Sequence, residues 1–153
     1  MNSKKQIEFY LFNKLVEISK KEGLYVKIDK NLQKNIWGNL HLSMDIDTLE
    51  KTFYGINVAK KHWGCPYVIA HELGHYYSIK SNDDFEEKSA DIKANEIIGE
   101  VLSKEDLNII GWPIKYYPLK LVKEFTLFGK IASLLGIDFT IGEYHSNYNE
   151  SAI

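Results

Sequence analysis

The stretch Tyr67-Val68-Ile69-Ala70-His71-Glu72-Leu73-Gly74-His75 decides how the chain is read. Pro66 stands just ahead of it, at a place where the first turn of a helix does not need its missing N–H. The spacing predicts a helix from Pro66 to about Ile79. Histidines at i and i+4 share one face, with Cβ atoms about 5–6 Å apart. That lets the neutral imidazoles of His71 and His75 converge on one tetrahedral zinc ion. Glu72 lies one residue round from His71, placed to lean over the metal's open position without ligating. From there it can take a proton from water and pass it to a leaving amine. The HExxH pattern therefore carries a mechanism as well as a spacing. Ile69, Leu73, Tyr76 and Tyr77 form an apolar stripe on the same helix, so the histidines are expected on a buried element, where an unpaired imidazole is costly.

A catalytic zinc takes three protein ligands and leaves a fourth position to water. Position 81 is Ser81, so no third histidine follows at the HExxHxxGxxH spacing. The economical source is a carboxylate on the next helix. Ser81-Asn82-Asp83-Asp84 offers N-caps with Glu86 and Glu87 behind them, a capping-box pattern opening a helix to about Ile98, ended by Gly99. Its apolar face is Ala90, Ala94, Ile97 and Ile98. Those residues lie within about 80° of arc from Glu87 at 100° per residue. Glu87 is thus inside or beside that face, Glu86 falls further off, and Asp91, about 40° to the other side, is the competing ligand.

Upstream, Ile7, Leu11, Leu15 and Ile18 recur at helical spacing, and Gly23 stops an amphipathic helix over residues 3–22. Leu24–Ile28 alternates and reads as a short strand. Gly38 is expected in a turn, Leu40-His41-Leu42 as a strand and Phe53–Val58 as another, half-buried one. Lys60–Gly64 reads as a loop. Downstream, Ser103 caps a short helix to Ile110, Gly111-Trp112-Pro113 breaks it, and Pro118–Leu135 is again helical. Residues 136–153 show no clear period. Helices dominate, with a few strands placed before the two central helices, which makes the class α+β.

Residues 56–98 resemble the core of the ImmA/IrrE metallopeptidases, the antirepressor proteases of phages and integrative elements. The likeness rests on Ala70-His71-Glu72-Leu73-Gly74-His75, then Glu87-Lys88-Ser89-Ala90-Asp91-Ile92-Lys93-Ala94, then Ile97-Ile98. The resemblance implies a small zincin-like domain, with the HExxH helix packed on a second, ligand-bearing helix and a small sheet beside them. It implies Glu87 as the third zinc ligand, and a helix-turn-helix repressor as the protein substrate. His145 is a candidate to polarise the scissile carbonyl, a task proteases of this type often give to His or Tyr, although a histidine so placed is more commonly solvated. Tyr76 and Tyr77 read as packing residues, His41 and His62 as surface residues, and Cys65 as a small buried side chain.

The 153 residues suit one domain, 1–153, with no repeat or linker inside it. With 44% apolar and 26% charged residues the composition is that of a globular protein. Cys65 is the sole cysteine, which fits a reducing compartment and leads to a cytoplasmic expectation. No apolar run is long enough for a bilayer, so no membrane partner is expected. All 19 basic residues are lysines and the formal charge is −2. Without arginine, the usual bidentate reader of guanine and phosphate, direct nucleic-acid binding is not expected either.

Two functions remain. One is a zinc endopeptidase that cuts a repressor; the other is a non-catalytic regulatory binding protein on the same scaffold. An intact Glu72 favours the first, since a pure binding module has no use for it. The strand ending near Val58 is expected to border the cleft and to bind an extended peptide by edge pairing.

Overall fold

A computed structural model describes residues 3–32 and 35–115, together with the backbone of 139–145. The elements run α1 (Lys4–Lys21), β1 (Tyr25–Asp29), β2 (Ile36–Met44), β3 (Lys51–Ala59), a 3-10 turn (Lys60–His62), α2 (Pro66–Asn82), α3 (Glu87–Val101), α4 (Lys104–Ile110) and β4 (Phe139–His145). The class is α+β. No helix among the described residues is long and apolar enough to cross a membrane.

Helix α1 begins with a reciprocal cap: Gln6 N donates to Ser3 Oγ and Ser3 N donates to Gln6 Oε1. It ends at Gly23, whose φ of 82° is the left-handed conformation that glycine adopts without a Cβ penalty. Its buried face holds Ile7, Leu11 and Leu15, as the periodicity predicts, together with Phe12, while Ile18 is only partly buried.

The four strands form one sheet in the order β1-β3-β2-β4. β1 runs parallel to β3, and the other two pairings are antiparallel. Leu40, Ile56 and Val58 are fully buried in the core shared with α1 and α2.

Gly38 makes no turn but sits inside β2, paired with Val58. A Cβ there would collide with Val68 Cγ1 and stand 2.9 Å from Asn57 O, so glycine is what lets β2 lie against α2. β3 is an inner strand with partners on both sides, so the strand ending near Val58 has no free edge to offer a peptide. Among the described residues the sheet's edges are β1 and β4. Ser81 and Asn82 do not cap the next helix: α2 runs through Asn82 and stops at Asp83, in the left-handed region at φ 53°. Asp84 Oδ1 then accepts from Glu86 N at 2.9 Å, and α3 starts at Glu87 without a side-chain cap. Gly99 does not end α3 but lies within it, where a Cβ would come within 3.1 Å of Trp112 Cζ2.

Ser103 caps α4 as predicted, accepting from Asp106 N, and Gly111 ends it at φ 78°. Beyond it, Asn95 ties the chain back to α3, its Oδ1 accepting from Ile114 N at 2.7 Å and its Nδ2 donating to Ile114 O at 2.9 Å. The stretch from 136 onward, read as aperiodic, contains β4. The helix expected over Pro118–Leu135 lies outside the described residues.

Candidate metal centre

α2 is buried from Pro66 through Tyr76, so it behaves as a core helix rather than an amphipathic surface one. α3 crosses it closely because both helices present small residues at the contact. A Cβ on Gly74 would collide with the carbonyl oxygen of Ala90. The glycine of the HELGH run is thus the point of closest approach. It sets Glu87 and Asp91, three residues before Ala90 and one after it, opposite the histidine face of α2.

The Nε2 atoms of His71 and His75 both reach Glu87 Oε2, at 2.8 and 3.0 Å. The rings stand nearly perpendicular, 85° apart, with centroids at 4.8 Å. On the far side of its ring, His71 Nδ1 meets Asp91 Oδ1 at 2.8 Å. His71, Glu72, His75 and Glu87 are all at most 5% exposed. One ligand atom from each of His71, His75 and Glu87 falls within 4.8 Å of the others, so this buried triad could hold a metal ion.

The donor set fits such an ion. Ligands about 2.0–2.2 Å from a tetrahedral zinc stand roughly 3.4 Å apart. The two Nε2–Oε2 separations, 2.8 and 3.0 Å, would need to widen by roughly half an ångström to admit the ion. His71 has a carboxylate at each ring nitrogen and satisfies both only by donating two protons as an imidazolium. With a cation between the Nε2 atoms, the neutral ring would keep Nδ1–H for Asp91 and turn its Nε2 lone pair inward, the arrangement that orients metal-bound histidines generally. Glu87 Oε1 and His75 Nδ1 are buried without a hydrogen-bond partner among the described residues, so the cluster as it stands leaves polar atoms unsatisfied.

Electrostatics follow the same geometry. Burial by itself would pull the His71 imidazole down, but hydrogen bonds to Asp91 and Glu87 and the charges of Glu87 and Glu72 hold it well above its ordinary value. Burial would likewise push the Glu87 carboxyl up, yet the His75 charge and the bonds from both imidazoles hold it well below the carboxylate range.

His71, His75 and Glu87 meet at one point; Asp91, the alternative ligand, stands behind His71 instead of beside the two Nε2 atoms. The Glu72 side chain passes beneath β2, its Cγ 4.0 Å from where a Cβ on Gly38 would be. His145 ends β4 opposite Ile36 in register, and its side chain lies outside the described residues. Tyr76 packs edge-on against Phe53 and donates to Glu22 Oε2 at 2.8 Å. His62 stacks on Trp37 at 3.8 Å and His41 bonds Tyr25 Oη through Nδ1, so neither is a plain surface residue. Burial pushes the Cys65 thiol up to about 11, consistent with an inert packing role. Sequence reasoning passed over Gly38 and Gly74 as site-forming residues; a glycine between β-rich neighbours, and one inside a helix, were the available signals.

In comparisons with known proteins, no family model, no curated protein and no solved structure matches this chain.

Proposed function

We propose that the chain is a cytoplasmic zinc-dependent endopeptidase of the ImmA/IrrE kind, which cuts a helix-turn-helix repressor of a phage or mobile element and so relieves repression. The observation that carries this reading is the meeting of two imidazole Nε2 atoms on one carboxylate oxygen, beside the buried Glu72. His71, His75 and Glu87 would hold the ion, and Asp91 would fix the His71 tautomer. The ion supplies Lewis acidity and hydroxide at neutral pH when bound. Glu72 accepts the proton of the attacking water and returns it to the departing amide nitrogen, which leaves as an amine. Selectivity would come from contacts of the repressor with surfaces outside the scissile peptide, since β3 is an inner strand and, among the described residues, the sheet's edges are β1 and β4.

One observation favours a second reading. Structural metal sites are closed whereas catalytic ones keep an open position, and His71, Glu72 and His75 are 2%, 0% and 0% exposed. A closed site suits a regulatory protein that binds its partner without cutting it. Zinc-loaded protein incubated with the repressor encoded beside its gene, and separately with casein, separates the readings. The peptidase reading expects one or two cuts in the repressor, between its DNA-binding and oligomerising parts, little casein degradation, and no cutting by Glu72→Gln with its metal retained. Casein degraded beside an untouched repressor would reject the antirepressor role alone; neither substrate cut by zinc-loaded protein would favour the binding protein.

A further inference from the structure

We propose that β4 lies where the backbone of a peptide substrate has to lie, so that the chain holds its own site shut until an incoming strand takes β4's place on β2. The proposal rests on the peptidase reading of the metal centre and adds how that centre is reached.

The centre is walled in. His71, Glu72, His75 and Glu87 are all buried, so no scissile bond reaches them while every neighbouring element stays in place. The elements packed against α2 include α1, α3, β2, β3 and β4. Moving most of these would break the core or the site. α1, β2 and β3 contribute Leu11, Leu40 and Ile56, all fully buried, and α3 contributes Glu87. β4 is held differently. It pairs with β2 alone and forms an edge of the sheet among the described residues. An edge strand can part from its neighbour while α2 keeps its packing on β2 and β3.

Its position is also the one a substrate needs. β2 is the strand beneath which Glu72 passes, with Glu72 Cγ 4.0 Å from the place of a Cβ on Gly38. The β2–β4 register sets Tyr144 opposite Gly38 and His145 opposite Ile36. A main chain paired with β2 at Gly38 therefore runs one strand spacing, about 4.8 Å, from the strand that covers the catalytic glutamate.

The pairing is least regular at that point. Leu40, His41 and Leu42 match Ile141, Thr140 and Phe139 residue for residue. The register then shifts between Gly38 and Leu40 and again between Ile36 and Gly38. Such shifts leave residues out of the ladder. On its other side β2 keeps step with β3 from Gly38 to His41, and its one shift lies beyond, between His41 and Leu42.

An extended peptide meets a strand edge through main-chain hydrogen bonds, with little demand on its sequence. On this edge it competes with a strand of the same chain. Its apparent affinity falls by the fraction of molecules in which the edge is free. Unfolded bystander proteins are thereby kept from the centre, whereas a partner with further contacts elsewhere can drive the exchange.

The test uses two full-chain variants and a fluorescein-labelled peptide copying Phe139–His145. Thr140→Pro/Ile141→Pro removes two successive N–H groups, which point to opposite sides of a strand, so one of them is lost from the ladder. His41→Cys/Thr140→Cys joins an in-register pair. Cα atoms of such a pair stand about 4.5–5.5 Å apart, within disulfide reach. Fluorescence anisotropy reads peptide binding without any catalysis, and cutting of the neighbouring repressor by zinc-loaded protein reads access to the centre. The proline variant should bind the peptide at least about tenfold more tightly than the wild type. The oxidised cysteine variant should neither bind the peptide nor cut the repressor, and reduction with a phosphine should restore both to the wild-type level. That recovery distinguishes a locked strand from a damaged fold. Peptide binding by the proline variant no tighter than the wild type's, or an oxidised variant that binds or cuts as well as its reduced form, overturns the proposal. The expected peptide results with no cutting by any form would support β4 as the exchangeable strand and reject the peptidase reading instead.

Discussion

Helix α2 has a glutamate buried beside it at each of two seams: Glu8 comes from α1 and Glu87 from α3. Desolvation acts on both carboxyls in the same direction. At the α1–α2 seam it wins, and the Glu8 carboxyl is raised, with a Tyr67 hydrogen bond and the Lys4 charge offsetting only part of the effect. At the α2–α3 seam it loses, because two imidazoles face Glu87 and hold it ionised. Burying an acid therefore does not make a site. What distinguishes the α2–α3 seam is that its polar atoms converge on one point, whereas Glu8 has a Tyr67 hydrogen bond and the Lys4 charge, and its Oε2 has no partner among the described residues.

The largest test of this contrast is removal of the converging charge. Glu87→Gln should weaken zinc binding by more than 100-fold. Asp91→Asn, which alters only the support behind His71, should fall in the range of about 10–100-fold typical of such outer partners. Zinc competition with a chromogenic chelator measures both, and a reversed order would make Asp91 the ligand.

Next comes the contact that brings the seam together. Gly74→Ala should raise stability by about 1 kcal/mol on helix propensity alone. Because the added methyl meets the Ala90 carbonyl, overpacking should reverse the sign and destabilise by about 1–3 kcal/mol. Zinc affinity should fall with it, since the separation of α3 from α2 sets the ligand distances. Urea denaturation shows the sign; a stabilised variant would mean that the helices can part without cost.

The smallest effect belongs to Glu8. A carboxyl raised in the folded state contributes most at pH values below its unfolded value near 4.5, and loses that contribution as pH rises through the raised value. Glu8→Gln should therefore raise Tm at pH 7 by about 1–2 °C, a modest gain because solvent at the seam's rim screens the charge. The difference should close below about pH 4, where Glu8 is protonated in both states. A lowered Tm at pH 7 would show that Lys4 and Tyr67 outweigh desolvation.

The same contrast explains what could be read from residues alone. His71, Glu72 and His75 were legible because a helix fixes their spacing, and Glu87 because a second helical period pointed it toward them. The boundary between α2 and α3 was misplaced because Ser81 and Asn82 are good caps in isolation, yet the helix continues through them to Asp83. Gly38 was read as a turn because its role, room for β2 against Val68 and Glu72, exists only once the sheet meets α2. Asn39 and Asn57 went unnoticed for a like reason: they lie 18 positions apart and become a pair only in the β2–β3 register. β4 gave no periodic signal, and its partner β2 is distant in sequence.

Whether the α2–α3 seam is a metal centre is decided most directly by metal stoichiometry. Native mass spectrometry of the purified chain supplied with zinc should show one ion per chain, lost in His71→Ala and in His75→Ala and retained in Glu72→Gln. A wild-type chain that takes up no zinc, or a His75→Ala variant that holds it as firmly as the wild type, would contradict the account.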